Sequence, residues 1–403
     1  MRVLYVTRPC YLDTALNRIR ALSQVVDLEV VLEITPSSWS QSFFDLPKRP
    51  MLPGFLPAEP LLKTALPRDV WSCWANVRSF EVLAYSSRRT YAPSGVREAR
   101  RAAAVLAQRD VDVVHFDDSG RMSLGWRGHP RAVTVKNVHD PVPHPGSAGW
   151  RKKMTRHCAY RGDARIMVHA EHFRSQYART QCVPLEAVES CLLGECEVLR
   201  SWPALPYQSG PMALLPGRMT DYKGIEVLCA AADAIATQVP GIAIVVAGPP
   251  SPGYLVPHSR ALPKGGRLTV LAEHISTARL RGLMEAATVV VVPYTSATQS
   301  GVVLNAVALG IPLVASRVGA LPEYIEPSGC GLLVEPGNAD ALASAVVSVM
   351  LSPAMRKVLR AGASSARTGP LSWAKLAQDH VAFYQRSLVR RPSCGPFLRA
   401  TSM

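Results

Sequence analysis

The chain has 403 residues, of which 48% are apolar, and its formal net charge is +15 at pH 7. This length predicts two domains that each bury a core, and the composition is typical of a globular α/β protein. The longest apolar runs are far too short to span a bilayer, no signal-type segment follows Met1, and the nine cysteines contain no C-x-x-C pair. We therefore expect a cytoplasmic protein with reduced thiols, and not a disulfide scaffold or a zinc protein.

The first half of the chain alternates between apolar runs of strand length and amphipathic segments of helix length. Strands are predicted at Arg2–Thr7 and at residues 28–34, 111–116, 132–138, 164–169 and, more weakly, 188–193; helices are predicted at residues 15–25, 70–88, 95–108 and 171–179, with a loop at residues 8–13. A proline-rich stretch, residues 36–67, breaks this rhythm and is expected to run over the surface. It either lines a binding cleft or is a passive insertion.

Positive charge is concentrated in one quarter of the chain. Residues 78–179 contain 19 Lys or Arg and 9 Asp or Glu, so their formal charge is +10. No helix-turn-helix pattern, zinc finger or basic-aromatic stripe accompanies this charge, so we expect no nucleic-acid partner. Residues 149–161 place Trp150, Met154 and Cys158 on one helical face and basic residues on the others. This predicts a short basic helix that either binds an anionic membrane surface or packs on its own domain.

Two segments of the first half carry acidic or imidazole side chains. Asp110 and Asp112 have the spacing of a metal-binding D-x-D pair, but they precede their strand, and we interpret them as a strand-entry turn. His139 and Asp140 follow a predicted strand directly and so lie at the carboxyl edge of the sheet, where ligands bind. Together with His144 they belong to a proline-stiffened loop, which we interpret as functional.

The second half follows an aperiodic linker candidate, residues 195–209. A strand at Met212–Pro216 and a helix at residues 225–236 are joined by a loop that places Arg218 and Lys223 five residues apart. A guanidinium and an ammonium over a helix start suit a diphosphate, although the Walker spacing is absent. Further elements complete a doubly wound unit: strands at residues 242–247 and 268–271 and a helix at Thr277–Ala286.

The most informative stretch begins with a strand at Val289–Val292, which stops at Pro293. A small-residue loop, a helix at residues 302–309 that ends at Gly310, and a strand at residues 312–315 follow. This unit delivers residues 299–301 to a helix N-terminus at the carboxyl edge of a parallel sheet, where free N–H groups and the helix dipole favour an anion. The alternative interpretation is an ordinary βαβ turn.

In order and spacing, these motifs resemble the carboxyl half of the family 4 retaining glycosyltransferases. The resemblance is carried by residues 217–228, 247–248, 299–316, 318–325 and 329–336, and more loosely by residues 11–16, the His139–Asp140 loop and a terminal helix at residues 372–387. It implies the GT-B fold, an α/β architecture with two Rossmann-like doubly wound domains that face a cleft. The implied domains are an acceptor-side domain at residues 1–200, a donor domain at 201–370, and a helix that crosses back, with a basic tail, at 371–403.

The resemblance also implies roles for individual residues. Arg218 and Lys223 would neutralise the diphosphate of a nucleotide-sugar donor, and the amides after Ser300 would bind its distal phosphate. His139 and Asp140 would be catalytic, with His139 beside the reacting sugar carbon or the acceptor. The rest of the implied site comprises Gly248, Glu273, His274, Ile275, Gln299, Gly301, Val302 and Asn305 on the donor side and Asp13 and His144 on the acceptor side. No metal or other cofactor is expected.

The chain departs from the family motif of Glu, seven residues and Glu, because Ala297 and Asn305 stand at the two glutamate positions. The second glutamate holds ribose hydroxyls, and an asparagine can still hydrogen-bond them. Residues 299–301 match the Gln-Ser-Gly variant found in one branch of the family. The glycine-rich loop after the first strand is also replaced, by residues 7–13.

The function implied is retaining transfer of a sugar from a nucleoside diphosphate to an acceptor hydroxyl, in the synthesis of a surface polysaccharide, glycolipid or other glycoconjugate. The acceptor would be a sugar, a lipid-linked sugar or a small molecule, and the enzyme would be cytoplasmic and peripheral to the inner face of the membrane. Two alternatives stay open: a nucleotide-sugar epimerase or phosphorylase of the same fold, and a non-catalytic partner that binds nucleotide sugars or membranes.

Overall fold

Two separate sheets organise the computed structural model of the chain, which describes residues 1–36, 38, 44, 52–118, 120–142, 164–208 and 210–389. The strands of the first sheet are β1 Arg2–Thr7, β2 Asp27–Ile34, β3 Gly54–Pro57, β4 Ser79–Ala84, β5 Val113–Phe116, β6 Val133–Val138, β7 Arg165–Val168 and β8 Val188–Ser190. Their order is β3-β4-β2-β1-β5-β6-β7-β8. All pair in parallel except β3, which runs antiparallel to β4 at the edge.

The second sheet has the same design. Its strands are β9 Met212–Pro216, β10 Ala243–Ala247, β11 Arg260–Ala261, β12 Arg267–Leu271, β13 Val289–Val292, β14 Leu313–Ser316 and β15 Gly331–Val334. Their order is β11-β12-β10-β9-β13-β14-β15, and again only the short edge strand, β11, is antiparallel. We call the parts of the molecule built on the two sheets the first lobe and the second lobe.

Helices connect the strands in both lobes. The α-helices of the first lobe are Leu12–Leu22, Glu59–Ala65, Pro93–Leu106 and Glu171–Gln181, and those of the second are Ile225–Gln238, Thr277–Ala286, Gly301–Leu309, Leu321–Ile325, Ala339–Leu351 and Pro353–Thr368, with Trp373–Val389 following. Short 3-10 helices lie at Pro9–Tyr11, Arg68–Trp74, Arg121–Leu124, Leu185–Ala187, Glu197–Ser201, Asp221–Lys223 and Pro263–Gly265. The domain boundaries near residues 200 and 370 stay a prediction.

The inner strands are buried on both faces. Every residue of β9 and of β13 is buried, and β13 consists of four consecutive valines. Continuous β-branched or aliphatic runs are typical of parallel strands covered by helices on each side. The carboxyl ends of these strands therefore emerge from a rigid core, and the loops that follow them are held in place by it.

The helix Trp373–Val389 packs against the first lobe. The Tyr384 hydroxyl lies 2.6 Å from Nδ1 of His115 on β5, and the Trp373 indole N–H donates to the carbonyl of Glu195 over 2.7 Å. Tyr384 is fully buried. The terminal helix thus contributes side chains to the core of the lobe in which the chain begins.

Three sequence predictions for the first half are wrong. Residues 70–88 form not a helix but the 3-10 helix Arg68–Trp74 and the strand β4, whose first three residues are only partly buried, so that no continuous apolar run marks it. The proline-rich stretch contributes β3, because Pro57 is tolerated on an edge strand. The first helix begins at Leu12, which places Asp13 in its first turn and not in a loop.

No single helix within the described ranges is long and apolar enough to cross a membrane; one pair, Ala339–Leu351 with Pro353–Val389, bent by 97°, passes by length and composition only. The predicted basic helix at residues 149–161 lies outside the described residues, and so does His144.

Candidate functional site

The loops that follow β9 and β10 touch each other at the carboxyl edge of the second sheet. The N–H of Gly217 donates to the carbonyl of Ala247 over 2.8 Å, and the N–H of Met219 donates to that of Pro249 over 3.0 Å. A Cβ on Gly248 would lie 2.1 Å from the Gly217 oxygen, at a φ of +154°. Glycine at 248 therefore lets the two loops approach closely, and Arg218 projects from this contact as an exposed side chain.

Lys223 and Ser300 meet at the hydroxyl of Tyr294. The Lys223 ammonium donates to this hydroxyl over 2.6 Å, and the Ser300 hydroxyl lies 3.4 Å from it. Burial lowers the pKa of Lys223 and raises that of Tyr294. The loop after β9 is also tied to the loop after β13 by a hydrogen bond of 2.9 Å from the N–H of Thr295 to the carbonyl of Tyr222. The predicted cation and the predicted helix start are thus brought together.

The helix Gly301–Leu309 begins beside this cluster. Its first internal hydrogen bond runs from the N–H of Leu304 to the carbonyl of Ser300 over 3.2 Å, so the preceding N–H groups have no partner within the helix. Ser300 is the N-cap residue, and its side chain does not cap the helix. Gln299 and Val302 flank this start, and both are partly buried. The result is a helix N-terminus whose amides are available to an anion.

Asn305 lies one turn into the same helix. It is 5% exposed, and its Oδ1 has no hydrogen-bond partner in the described part of the chain. Because buried polar atoms are normally hydrogen-bonded, this oxygen is an acceptor suited to a ligand hydroxyl. Three other predicted donor-side residues, Glu273, His274 and Ile275, follow the carboxyl end of β12, where the Glu273 carboxylate is paired with Arg279 over 2.6 Å.

His139 lies at the corresponding edge of the first sheet, directly after β6. It is 2% exposed, its Nε2 is 2.8 Å from Oδ1 of Asp117, and its ring stacks on Tyr11 at 3.8 Å between centroids. Asp13 lies nearby in the first turn of the helix Leu12–Leu22, where burial raises the pKa of its carboxyl to about 6.

A hydrogen bond across the cleft joins the two halves of the site. The Thr298 hydroxyl donates to Oδ1 of Asp140 over 2.8 Å, which holds the His139–Asp140 loop against the loop that leads to Ser300. Other contacts between the lobes lie close by: the Glu323 carboxylate accepts from the N–H groups of Glu171 and His172 over 2.8 and 2.7 Å, and the Tyr324 hydroxyl donates to the His169 carbonyl over 2.8 Å. The carboxyl edges of the two sheets therefore face each other.

A cavity of about 320 Å³ lies between the lobes at this place. Its walls include His172 and Phe173 of the first lobe and Ala297 and Gly319 of the second. Ala297 itself is buried, at 6% exposed. A Cβ on Gly319 would lie 1.7 Å from the carbonyl oxygen of Ala297, which keeps this wall closely packed.

Sequence reasoning missed Asp117. Its buried carboxylate accepts hydrogen bonds from Tyr5 and Arg18 and lies 2.8 Å from Nε2 of His139. A signal was present, because Asp117 follows β5 directly, just as His139 follows β6. Among the described residues, no group of three or more His, Cys, Asp or Glu side chains is arranged to hold a metal ion. The expectation of metal-free chemistry stays a prediction.

Comparison with known proteins relates part of the chain to a described family. Residues 210–352 match the family model described as "Glycosyl transferases group 1". Over 201 residues the chain is 30% identical to a D-inositol 3-phosphate glycosyltransferase of Mycolicibacterium paratuberculosis, which covers 48% of this chain and 44% of that protein. It is 34% identical over 123 residues to an MMP alpha-(1->4)-mannosyltransferase of Mycolicibacterium hassiacum, over 30% of this chain and 29% of that protein. The chain thus spans less than half the length of these relatives.

Solved structures match the fold over nearly the whole chain. The sucrose-phosphate synthase of Thermosynechococcus elongatus superposes with a TM-score of 0.65 at 17% identity, over 96% of this chain and 100% of that one. HepE of Anabaena, solved in complex with UDP, superposes with a TM-score of 0.63 at 13% identity, over 96% and 100% of the two chains. The two facing doubly wound lobes are therefore a GT-B fold, whose residues 210–352 match the group 1 glycosyltransferases.

Proposed function

We propose that the chain is a retaining glycosyltransferase that moves a sugar from a nucleoside diphosphate to an acceptor hydroxyl. The observation that carries the proposal is the hydrogen bond of 2.8 Å between Thr298 and Asp140. It sets His139 of one lobe opposite the helix start at Ser300 in the other. A nucleotide sugar whose distal phosphate lies at this helix start has its sugar between His139 and Ser300.

The second lobe supplies the groups that a diphosphate requires. Lys223 is a point charge held by Tyr294, Arg218 is a planar fork on the same loop, and the amides after Ser300 add neutral donors. In the reaction the bond between the sugar carbon and the phosphate oxygen breaks, and negative charge develops on the leaving nucleoside diphosphate. Fixed donors that stabilise this charge lower the barrier, and no metal is needed for that purpose.

The acceptor hydroxyl attacks the same face of the sugar that the phosphate leaves, and the leaving phosphate takes its proton. The stereochemistry is therefore retained. Backbone at Glu273–Ile275 is assigned to the nucleoside base and Asn305 to the ribose, whose hydroxyls can donate to Oδ1 of Asn305, an atom without a partner among the described residues. Asp13, whose pKa is raised to about 6, lies on the acceptor side.

Proteins with related folds support a nucleotide-sugar donor. HepE of Anabaena has been solved with UDP and with UDP-glucose, and the relative from Mycolicibacterium paratuberculosis is named a glycosyltransferase. We extend both properties to this chain as part of the proposal. Synthesis of a glycoconjugate at the inner face of a membrane is the setting that best suits the basic segment at residues 149–161.

A panel of UDP-, GDP- and ADP-sugars, assayed for release of the nucleoside diphosphate, tests the proposal. We expect one donor to be consumed by the wild type and Arg218→Ala to lower kcat/KM by about tenfold to a hundredfold, since hydrogen bonds to charged groups contribute about 1.5–3 kcal/mol. Arg360→Ala, at an exposed arginine of the helix Pro353–Thr368, is the control and should behave as the wild type.

Each rival function gives its own result in this panel. Conversion of the donor sugar to an isomer would indicate an epimerase, and consumption that requires inorganic phosphate would indicate a phosphorylase. Tight binding of a donor that is never consumed, with or without added sugars and glycolipids, would identify a binding partner and refute the transferase.

A further inference from the structure

One helix of the first lobe has an outer face made of arginines. The exposed side of the helix Pro93–Leu106 carries Arg97, Arg100 and Arg101. Its other side consists of small and aliphatic residues that are buried in the lobe: Gly95, Ala99, Ala102, Ala103 and Leu106. Residues three and four positions apart lie on the same side of an α-helix, so the three guanidinium groups share one surface. We call the surface formed by these three arginines the arginine face.

No acidic side chain within the described part of the chain pairs with the arginine face. The helix contains one acid, Glu98, and its carboxylate lies 3.5 Å from Nη1 of Arg121, whose side chain is buried. The negative charge of Glu98 is therefore used inside the lobe. Arg109, just beyond the helix, shows the contrast, because its guanidinium is paired with Glu29 over 3.0 Å and with Glu81.

The arginine face has an electrostatic cost for the helix. Arg97 and Arg101 are four positions apart, and like charges at this spacing repel each other on a helix surface. The fold draws no ion pair from the three side chains, all of which are exposed, that would offset this repulsion. A concentrated field of one sign instead favours association with a partner of opposite charge.

Arg88 and Arg89 extend the positive charge to the edge of the first sheet. Both are exposed, and they lie in the loop that follows the carboxyl end of β4. A Cβ on Gly95 would lie 2.4 Å from the carbonyl oxygen of Arg89, so this loop is in direct contact with the first turn of the helix. Residues 88–108 contain five arginines and one glutamate, which gives them a formal charge of +4. The positive surface thus reaches the sheet edge at which His139 also lies.

The residues around the arginine face favour a membrane over a nucleic acid as the partner. The face is the convex side of a single helix, and the apolar side chains Tyr91 and Val105 next to it are 37% and 46% exposed. Arginines beside an exposed aromatic and an exposed aliphatic side chain suit the interface between anionic headgroups and acyl chains. A nucleic-acid site would add a platform of stacking rings, whereas residues 88–108 contain one aromatic side chain.

We propose that the arginine face docks the first lobe on a membrane surface that contains anionic lipids. Its guanidinium groups donate hydrogen bonds to the lipid phosphates, which a planar guanidinium can bind in a bidentate manner. Because Arg88 and Arg89 lie at the carboxyl edge of the sheet, docking brings this edge close to the lipid headgroups. Under the proposed transferase function, a lipid-linked acceptor would enter the cleft from there, but the docking itself does not depend on that function.

Sedimentation of the full chain with vesicles tests the proposal. The vesicles consist of phosphatidylcholine alone or of phosphatidylcholine with about 30% phosphatidylglycerol. The wild type should bind the anionic vesicles and be released in high salt, because salt screens the attraction between exposed charges. The triple variant Arg97→Gln, Arg100→Gln and Arg101→Gln should bind these vesicles about a hundredfold more weakly, since each basic residue near an anionic surface strengthens binding about fivefold.

Two matched variants show whether the position of the charge matters. Lysine at the same three positions keeps the charge and should preserve vesicle binding within about threefold. Arg267→Gln, Lys357→Gln and Arg360→Gln together remove the same charge from exposed positions of the second lobe, and this variant should also stay within about threefold of the wild type. If both glutamine variants lose binding alike, overall net charge explains the effect and the proposal is wrong.

Other results would also overturn the proposal. A wild type that binds both kinds of vesicle equally, or a first-lobe glutamine variant that binds as the wild type does, would exclude docking through the arginine face. Binding of polyuridylic acid without binding of anionic vesicles would identify a nucleic-acid surface instead. Vesicle binding requires no nucleotide sugar, so a protein that docks on vesicles but consumes no donor would refute the transferase alone, and the converse would refute the docking alone.

Discussion

Gly224 links the fold of the second lobe to the proposed phosphate site, and its replacement by alanine gives the sharpest test of that link. The residue follows Lys223, has a φ of +63°, and starts the helix Ile225–Gln238. A Cβ at this position would lie 1.8 Å from the carbonyl oxygen of Pro293, the residue before Tyr294. Because the colliding group is the backbone carbonyl of Pro293, no flexible side chain can move to relieve the contact.

The cost of Gly224→Ala has two parts. Alanine in the left-handed conformation costs about 1 kcal/mol relative to glycine. The collision with Pro293 adds about 1–3 kcal/mol, as overpacking does in a rigid core. The second part separates the loop of Lys223 from the loop of Tyr294, so we also expect the affinity for the nucleoside diphosphate of the best donor to fall by about tenfold.

Gly241→Ala is the matched control. Gly241 has a φ of +72° in the same lobe, and nothing lies within 4 Å of its Cβ position. It therefore carries the conformational cost without the collision. Urea unfolding and calorimetric titration of both variants measure the difference. If Gly224→Ala and Gly241→Ala lose the same stability and bind the nucleotide equally, the close approach of the two loops does not build the phosphate site.

Three further predictions concern single side chains. Tyr294→Phe should weaken binding of the nucleoside diphosphate about fivefold to tenfold in calorimetry while unfolding changes little, because Lys223 loses the hydroxyl that holds it; an unchanged affinity would contradict this role. Glu323→Gln should lower the unfolding free energy in urea by about 1 kcal/mol, since a neutral side chain caps the helix Glu171–Gln181 less well, and no loss would dismiss the cap. Because the pKa of Asp13 is raised to about 6, folding favours its protonated form. The contribution of Asp13 to the unfolding free energy is therefore full below pH 4 and is lost as the pH rises through about 6. Asp13→Asn should remove this dependence from urea midpoints measured between pH 4 and 7, and parallel profiles of variant and wild type would refute it.

The second lobe was the more predictable from sequence. The strands Met212–Pro216 and Val289–Val292 have the predicted bounds, because strands buried on both faces consist of continuous apolar runs, and the helix Thr277–Ala286 also has its predicted bounds. The strand β4 was missed because its neighbour on one side is the edge strand β3, so half of its residues stay partly exposed. A strand with one partly exposed half carries a weak hydrophobic pattern, and local sequence patterns then resemble those of a helix or a loop.

The residues of the candidate site also differ in how well they could be predicted from sequence. Lys223, Ser300 and His139 could be placed from sequence, since each follows a recognisable strand at the carboxyl edge. The partners of Asp117 could not, because Arg18 lies 99 positions away in the chain and Asn137 lies 20 away. Only the parallel order of β1, β5 and β6 makes them neighbours. A stricter use of the strand-end rule would still have singled out Asp117 itself.

The packing of Trp373–Val389 on the first lobe has a consequence for biosynthesis. Tyr384 and His380 close over His115, and Trp373 lies beside Arg18, so these groups stay open to water until about 180 further residues have left the ribosome after β8. We therefore expect the first lobe to reach its final packing only after the terminal helix has been synthesised. A chain that ends before Trp373 would leave the buried polar groups His115 and Arg18 without these aromatic neighbours.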